Sequence, residues 1–303
     1  NLLAVEGRLK YRGIDVYDLV RGFSTDKRFG FEECCYLLLF GELPDRKQLD
    51  SFINMLGKYR ELPDNFTEDM ILKAPSSDIM NKLARSVLAS YSYDPDPDNT
   101  DIKNVLRQCI ELIARFPTMA AHAYQAKKHY FDKKSLYLHN PKPELSTAEN
   151  ILHMIRPDKK YTKTESEILD LALVLHAEHG GGNNSTFVTH VVASTGTDAY
   201  SAIAAAIGSL KGPLHGGANA MVLRMMENIK SNVKNWEDEG EVSRYIEKIL
   251  RKEAFDGSGL IYGMGHAVYT ISDPRAIILK ENAVRLAAEK GMEKEFNLYA
   301  MIE

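Results

Sequence analysis

The 303 residues include one tryptophan and three cysteines, with no long apolar run and no excess of basic charge. Each shortage removes a class of function. Cys34 and Cys35 are adjacent and Cys109 stands apart, so there is no even disulfide framework and no C-x-x-C spacing; a reducing compartment is the default and the thiols are expected to be structural. The longest stretch of bulky apolar residues, Tyr36 to Phe40, falls far short of the roughly 20 residues a bilayer demands. A net charge of −4 supplies no electrostatic footprint for nucleic acid. Neither a membrane nor a nucleic acid is therefore expected as a partner. Strand signals are scarce too. Gly7-Arg-Leu-Lys-Tyr-Arg-Gly13 alternates briefly, enough for a small hairpin, but nothing resembles βαβ units, a solenoid repeat or a low-complexity tract. What is present, 44% hydrophobic and 26% charged residues, suits a globular chain with one large core and a second domain. Asn1 without a preceding leader and Glu303 in mid-pattern read as the ends of an internal fragment.

Helical periodicity fills the space that strands leave. Thr100 is expected to cap a helix whose apolar face carries Ile102, Val105, Leu106, Cys109, Ile110 and Ile113, with Pro117 after its end. Thr164 and Glu167 match a capping box ahead of Ile168, Leu171, Ala172 and Leu175, a helix expected to carry His179 on its last turn and to stop at Gly180-Gly-Gly182. Residues 198–210, rich in Ala, Ser and Gly, read as a buried helix ended by Gly212-Pro213. Residues 219–229 are an apolar, helix-forming run. Asp273 and Pro274 look like the cap and first position of a helix running to Lys290, with Gly291 behind it. Loops are expected at 93–99 and 155–160, and 235–241 as a solvated helix start. The expected fold is all-α.

Four glycine- or proline-rich junctions each hold a histidine or arginine beside a helix end: His179 before GGGNNS, His215 in PLHGGAN, His266 in YGMGHAVY and Arg275 in SDPRA. Small residues admit close approach of a ligand, and helix N-termini offer amides to anions, so the joint pattern favours an anionic ligand. Metal is disfavoured. His176 and His179 in H-A-E-H lack the order H-E-x-x-H, and no cysteine stands at ligand spacing. No G-x-S-x-G elbow supports a serine hydrolase, and Gly-Met-Gly-His falls short of the dinucleotide fingerprint. At the start of a helix a neutral His215 ring can donate a hydrogen bond to a carbonyl and stabilise charge developing there, as in enolisation; the flanking glycines admit a bulky thioester and Gly-Pro fixes the loop. His122, His129, His139, His153 and His190 have no such surroundings and are expected to be structural or solvated. His176 either supports a neighbour or merely packs, and Tyr36–Phe40 is expected in the core.

With these residues in place the sequence resembles the citrate synthase family. GRLKYRGIDVYDL, FEECCYLLLFGELP, GPLHGGAN and GMGHAVYTISDPRA carry the likeness, and FPTMAAHAY and LHAEHGGGNNST fit in order. The resemblance implies an all-helical homodimer, with a large domain (1–217) and a smaller mobile one (218–303). It implies condensation of acetyl-CoA, a co-substrate, with oxaloacetate through an enol(ate), followed by hydrolysis of the citryl thioester, with no permanently bound cofactor and no metal. By motif, His215 is similar to the histidine that polarises the thioester carbonyl and His266 to the one that activates the ketone of oxaloacetate. His179 and Arg275 match carboxylate-binding positions, the latter able to make two parallel bonds. Asn183 and Ser185 match supporting residues, Ser185 orienting His215, and Leu260, Ile261, Gly263 and Met264 fall in the segment whose backbone meets the CoA adenine. Two departures stand out. The family's aspartate base, in V-D-F/Y-x-S-G, is not found before Glu303, so these residues alone are expected to turn over negligibly; and Thr270 stands where relatives often carry a basic residue near the CoA phosphates. The close relative 2-methylcitrate synthase, using propionyl-CoA, would keep every residue named, and a non-catalytic paralogue would keep the fold. A cytoplasmic location is expected for a bacterial source.

Overall fold

The computed structural model describes residues 7–178, 180–213, 215–265 and 271–303. Its chain begins with a two-stranded hairpin, β1 (Lys10–Tyr11) and β2 (Ile14–Asp15), pairing Lys10 with Asp15 and Tyr11 with Ile14. Arg12 and Gly13 both take positive φ, the conformation that a two-residue hairpin turn requires, so the hairpin forms around Gly13 rather than ending at it. Helices follow: α1 (Val16–Thr25), α2 (Phe31–Phe40), α3 (Arg46–Tyr59), a π-helical turn (Thr67–Leu72), α4 (Ile79–Ser90), a 3₁₀ turn (Tyr91–Tyr93), α5 (Ile102–Tyr130), α6 (Thr147–Ile155), α7 (Lys163–His176), α8 (Asn184–Ala193) and α9 (Ala199–Lys211). After Gly212 come α10 (Ala218–Asn232), α11 (Glu239–Leu250), α12 (Pro274–Lys290) and α13 (Glu293–Ile302). Among the described residues the two short strands of the hairpin are the only strands, in agreement with the expected all-α class.

Three local expectations are corrected. Pro117 does not follow the end of its helix but lies inside α5, which runs on to Tyr130. A proline there forfeits one backbone bond, yet Met119, Ala121, Ala123 and Ala126 beyond it are all buried, and packing of that second half outweighs the local cost. The cap of α5 is Asp101 rather than Thr100. For α7 the chain offers two overlapping T-x-x-E boxes, and the structure uses Thr162 with Glu165 instead of Thr164 with Glu167. The reason is tertiary: Glu165 also takes a two-bond grip from Arg156, at 2.7 and 2.8 Å. At its other end α7 stops at His176; His179, expected on the last turn, lies outside the described residues. The other expected helices form: α9, α10, α11 after its 235–238 approach, and α12 with Asp273 as cap, Pro274 at its start and Gly291 in the left-handed conformation behind it.

Residues 10–211 form one compact unit. Its core lies along α5, where Leu112, Met119 and Ala126 meet Phe66, Leu83, Val87, Tyr200 and Ile207, and where Ile110 and Ala114 meet Cys35, Phe52 and Leu56. Burial raises the thiol of Cys34 to about 12, with Asp170 and Glu33 adding to the effect, which makes it an inert packing group. Tyr36–Phe40 is only partly core: Leu37 is sealed, whereas Phe40 is exposed. His122 is buried, bonded to Thr67 Oγ1 at 2.9 Å and to the carbonyl of His139 at 3.3 Å, a structural histidine as expected. The second unit comprises 7–9 with the described residues of 212–303; its core joins Met225, Met226 and Ile229 of α10 to Val242 and Ile249 of α11 and Leu298 of α13.

Candidate active site

The loop before α10 is built tightly. The amides of His215 and Gly216 both donate to the Gly212 carbonyl, at 3.0 and 3.1 Å, which turns the chain sharply behind Pro213. A Cβ on Gly217 would stand 2.7 Å from Pro213 Cα, so only glycine admits this closure. His215 is thereby held, half-buried, immediately ahead of a helix whose N-terminus has no side-chain cap among the described residues. Backbone amides at such an end favour negative charge, the condition an enolate or a carboxylate would need.

The same helix receives the second motif. Gly263, at φ +83°, lies so close to α10 that an added Cβ would come within 2.9 Å of Val222 Cγ2, and Ile261, Tyr262 and Met264 pack against the Met225–Ile229 cluster. Ahead of them Tyr262 Oη donates to Asp256 at 2.7 Å, and the amides of Ser258 and Leu260 are held by Asp256 and Ser258 side chains. The His215 loop and the 260–264 segment, 45 residues apart at Leu260, thus share α10 as their floor. Leu260 itself is exposed. His266 lies outside the described residues.

Arg275 occupies the second position of α12. Asp273 caps the helix through the Arg275 amide at 2.9 Å and pairs with the Arg275 side chain, Nη2 to Oδ2 at 2.6 Å and Nε to Oδ1 at 3.0 Å. Sequence reading took Asp273 only as a cap; the signal for its second role was a carboxylate two residues ahead of an arginine, on the first turn.

In the other unit the second half of α7 is tied to β1 and to the start of α2. Tyr11, fully buried, donates its hydroxyl to the Val174 carbonyl at 2.9 Å, and Asp170 accepts the amides of Gly30 and Phe31 at 2.7 and 3.2 Å. Burial pushes the Asp170 carboxyl up to about 7, the Gly30 amide opposing and Glu32 adding to the rise. Glu178 then accepts the Gly180 amide at 2.6 Å. Asn183 caps α8 by accepting from the Thr186 amide at 2.9 Å, and its Nδ2 donates to the Gly180 carbonyl at 2.7 Å and to Thr186 Oγ1 at 2.8 Å. The Asn183 amide therefore shapes the turn's backbone. Ser185 sits half-buried on the first turn of α8. His179 lies outside the described residues. Of the residues read from sequence, His215, Leu260, Ile261, Gly263, Met264 and Arg275 fall in one unit, and Asn183 and Ser185 in the other.

Comparison with known proteins gives the arrangement a context. The family model described as "Citrate synthase, C-terminal domain" matches residues 2–303. A citrate synthase of Synechocystis sp. is 34% identical over 298 residues, covering 98% of this chain and 68% of that protein. A 2-methylcitrate synthase of Shewanella oneidensis is 31% identical, covering 97% of this chain and 71% of its own length. Among solved structures, the citrate synthase of Pyrobaculum aerophilum superposes with a TM-score of 0.80 at 32% identity, over 98% of this chain and 70% of that one. A citrate synthase of Thermoplasma acidophilum, solved as a ternary complex with carboxymethyl coenzyme A and oxaloacetate, gives 0.79 at 27% identity, over 98% and 72%.

Proposed function

The chain belongs to the citrate synthase family, and from that premise we propose that it condenses acetyl-CoA with oxaloacetate to give citrate and CoA. What carries the reading is coverage: similarity at 34% identity runs through 98% of the chain, so all four histidine- and arginine-bearing junctions fall inside the shared fold. In the proposed reaction a general base takes a proton from the acetyl methyl, the enol(ate) carbon bonds to the ketone carbon of oxaloacetate while the ketone oxygen takes up a proton, and water then cleaves the citryl thioester, its hydroxyl going to the acyl carbon and its hydrogen to the departing thiol. His215 donates to the thioester carbonyl as charge develops on it, and His266 donates to the ketone oxygen, so one imidazole stabilises the nucleophile and the other its target. His179 and Arg275 hold the carboxylates of oxaloacetate. Asn183 keeps the 180–186 backbone in shape, Ser185 orients His215, and the backbone of Leu260, Ile261, Gly263 and Met264 receives the CoA adenine. The two amide bonds to the Gly212 carbonyl and the close approach of Gly217 to Pro213 support the His215 assignment, because a hydrogen-bond donor stabilises a transition state only if its aim is set beforehand.

On this reading 1–217 make the large domain and 218–303 the small one, and the protein works in the cytoplasm as a homodimer. A hollow of about 750 Å³ in the 10–211 unit supports self-association: it is walled almost wholly by apolar side chains, among them Leu112, Phe116 and Tyr124 of α5, Ile151 of α6, Leu173 of α7 and Ile203 of α9. The 31% identity to a 2-methylcitrate synthase keeps propionyl-CoA as a second reading, since one methylene in an apolar pocket shifts discrimination by only about 1–3 kcal/mol. The test is thiol release by the full-length gene product with oxaloacetate, acetyl-CoA and propionyl-CoA being offered in parallel, on a sample whose mass is measured by equilibrium sedimentation. Faster release from acetyl-CoA is expected. Preference for propionyl-CoA selects the second reading, and no release from a folded dimer leaves a binding paralogue.

A further inference from the structure

An arginine at the second position of a helix stands where positive charge is least welcome, because the first-turn amides already present the positive end of the helix dipole. In α12 the sequence Asp273-Pro274-Arg275 meets that difficulty locally. Proline fixes φ at the first position, so the cap and the guanidinium keep a set separation. Asp45, Asp101 and Asp238 cap their helices by accepting backbone amides. Asp273 does this too and also spends both oxygens on the guanidinium: Oδ1 takes Nε at 3.0 Å, and Oδ2 takes Nη2 at 2.6 Å and Nε at 3.2 Å. The pair is well shielded, its two side chains 18% and 19% exposed against 78% and 59% for the surface pair Arg21–Asp18, so solvent and salt screen it far less.

We propose that Asp273 is a positioning residue for substrate binding, holding the Nε–Nη2 edge of Arg275 so that the guanidinium plane is set before a dicarboxylate substrate arrives. The inference rests on the reading that Arg275 receives a carboxylate of oxaloacetate. It adds a role for Asp273 distinct from capping: the carboxylate offsets the helix dipole and the arginine's charge together, and it restricts a long side chain whose ordering would otherwise cost binding affinity.

Two variants separate the roles. Asp273→Asn keeps the length and the cap but presents no charged two-oxygen face; Asp273→Ser keeps a capping hydroxyl that cannot span to the guanidinium. Kinetics with both co-substrates and calorimetric titration of oxaloacetate alone, on the full-length gene product, are the measurements. In both variants the oxaloacetate KM and Kd are expected to rise by about tenfold or more, with kcat and the acetyl-CoA KM shifting less than about threefold. Thermal midpoints are expected to fall, because the shielded ion pair is lost while capping is retained, so both substrate readouts are taken well below them. Asp273→Glu, which restores a carboxylate, should recover part of the oxaloacetate affinity. Unchanged oxaloacetate KM and Kd in both variants would overturn the proposal, and so would a fall in either, which would show Asp273 competing with the substrate. If the parent protein fails to bind oxaloacetate, the substrate reading falls and takes the inference with it; parent binding with indifferent variants removes the inference alone.

Discussion

The two compact units differ in what they bury. Among the described residues every buried charged or hydrogen-bonding side chain identified, from Glu32 and Arg60 to Gln108, Asp170 and Asp198, belongs to 10–211, whereas the sealed positions of 212–303 are methionine, isoleucine, valine, leucine, alanine and proline. Polar groups out of water stay only where their bonds are met, and meeting them admits few alternative packings. Asp94 illustrates this. Its carboxylate accepts from Arg107 and Asp96 on one oxygen and from Gln108 and Tyr200 on the other. Burial alone would raise its pKa, but these bonds, led by Tyr200, bring it down to about 2. A methionine-rich core makes no such demand and adapts to shape. The lesson is a division of labour: directional networks hold the scaffold of α4, α5 and α9, while the 261–264 segment and α10 rest on a non-directional core.

The largest expected effect that sharpens this contrast comes from Asp94→Ala, which takes the acceptor from the Tyr200 hydroxyl and the Gln108 amide and leaves Arg107 with Glu111 as its remaining carboxylate, and should cost about 3–5 kcal/mol in all. In the other core Met225→Leu should cost below about 1.5 kcal/mol, although Met225 is fully buried. Trp236, the single tryptophan, packs on the Met225 cluster, so its fluorescence follows that unit in urea while circular dichroism follows the helices of both. Comparable losses from the two substitutions would break the comparison.

Next in size is a pH effect confined to 10–211. The folded pKa of Asp170, about 7, lies above its ordinary 3.8, so the folded chain keeps a proton that the unfolded chain releases. That contribution to stability is complete below about pH 4 and is lost as pH rises through 7, with a slope of at most about 1.4 kcal/mol per pH unit. Asp94 acts in the opposite sense, its contribution present above about pH 4 and lost as pH falls through 2. Urea midpoints measured from pH 4 to 8 should therefore decline in the parent and flatten in Asp170→Asn; equal slopes would remove Asp170 as the cause. The smallest effect is expected from Tyr11→Phe. The Val174 carbonyl still accepts the Ala177 amide at 3.2 Å, so loss of the hydroxyl should cost about 1 kcal/mol, read from the thermal midpoint.

Much of this was legible in the chain itself. Periodicity and cap chemistry located α9, α10 and α12 because the needed signals are local: Ala-rich spacing, a glycine loop, and Asp-Pro before with Gly after. The same local rules misplaced the end of α5 and the start of α7, where partners far along the chain decide. Nothing within a few residues of Pro117 announces that the helix surface beyond it will be buried, and nothing near Thr162 announces Arg156 as a second claimant on Glu165. The site residues divided likewise. His215 and Arg275 were marked by their neighbours in sequence; the bonds of Tyr11 to Val174 and of Asp170 to Gly30 join residues more than a hundred positions apart.

By itself, then, the sequence determined the helical class, the capped junctions and the family to which the chain belongs, since each is written in spacing and residue type over short spans. Tertiary structure alone decided which of two capping boxes is used, how far α5 runs, which carboxyl is pushed up to about 7, and that the His215 loop and the 260–264 segment share α10. Those outcomes depend on burial and on groups brought together by the fold, and neither is a property of a local stretch of chain.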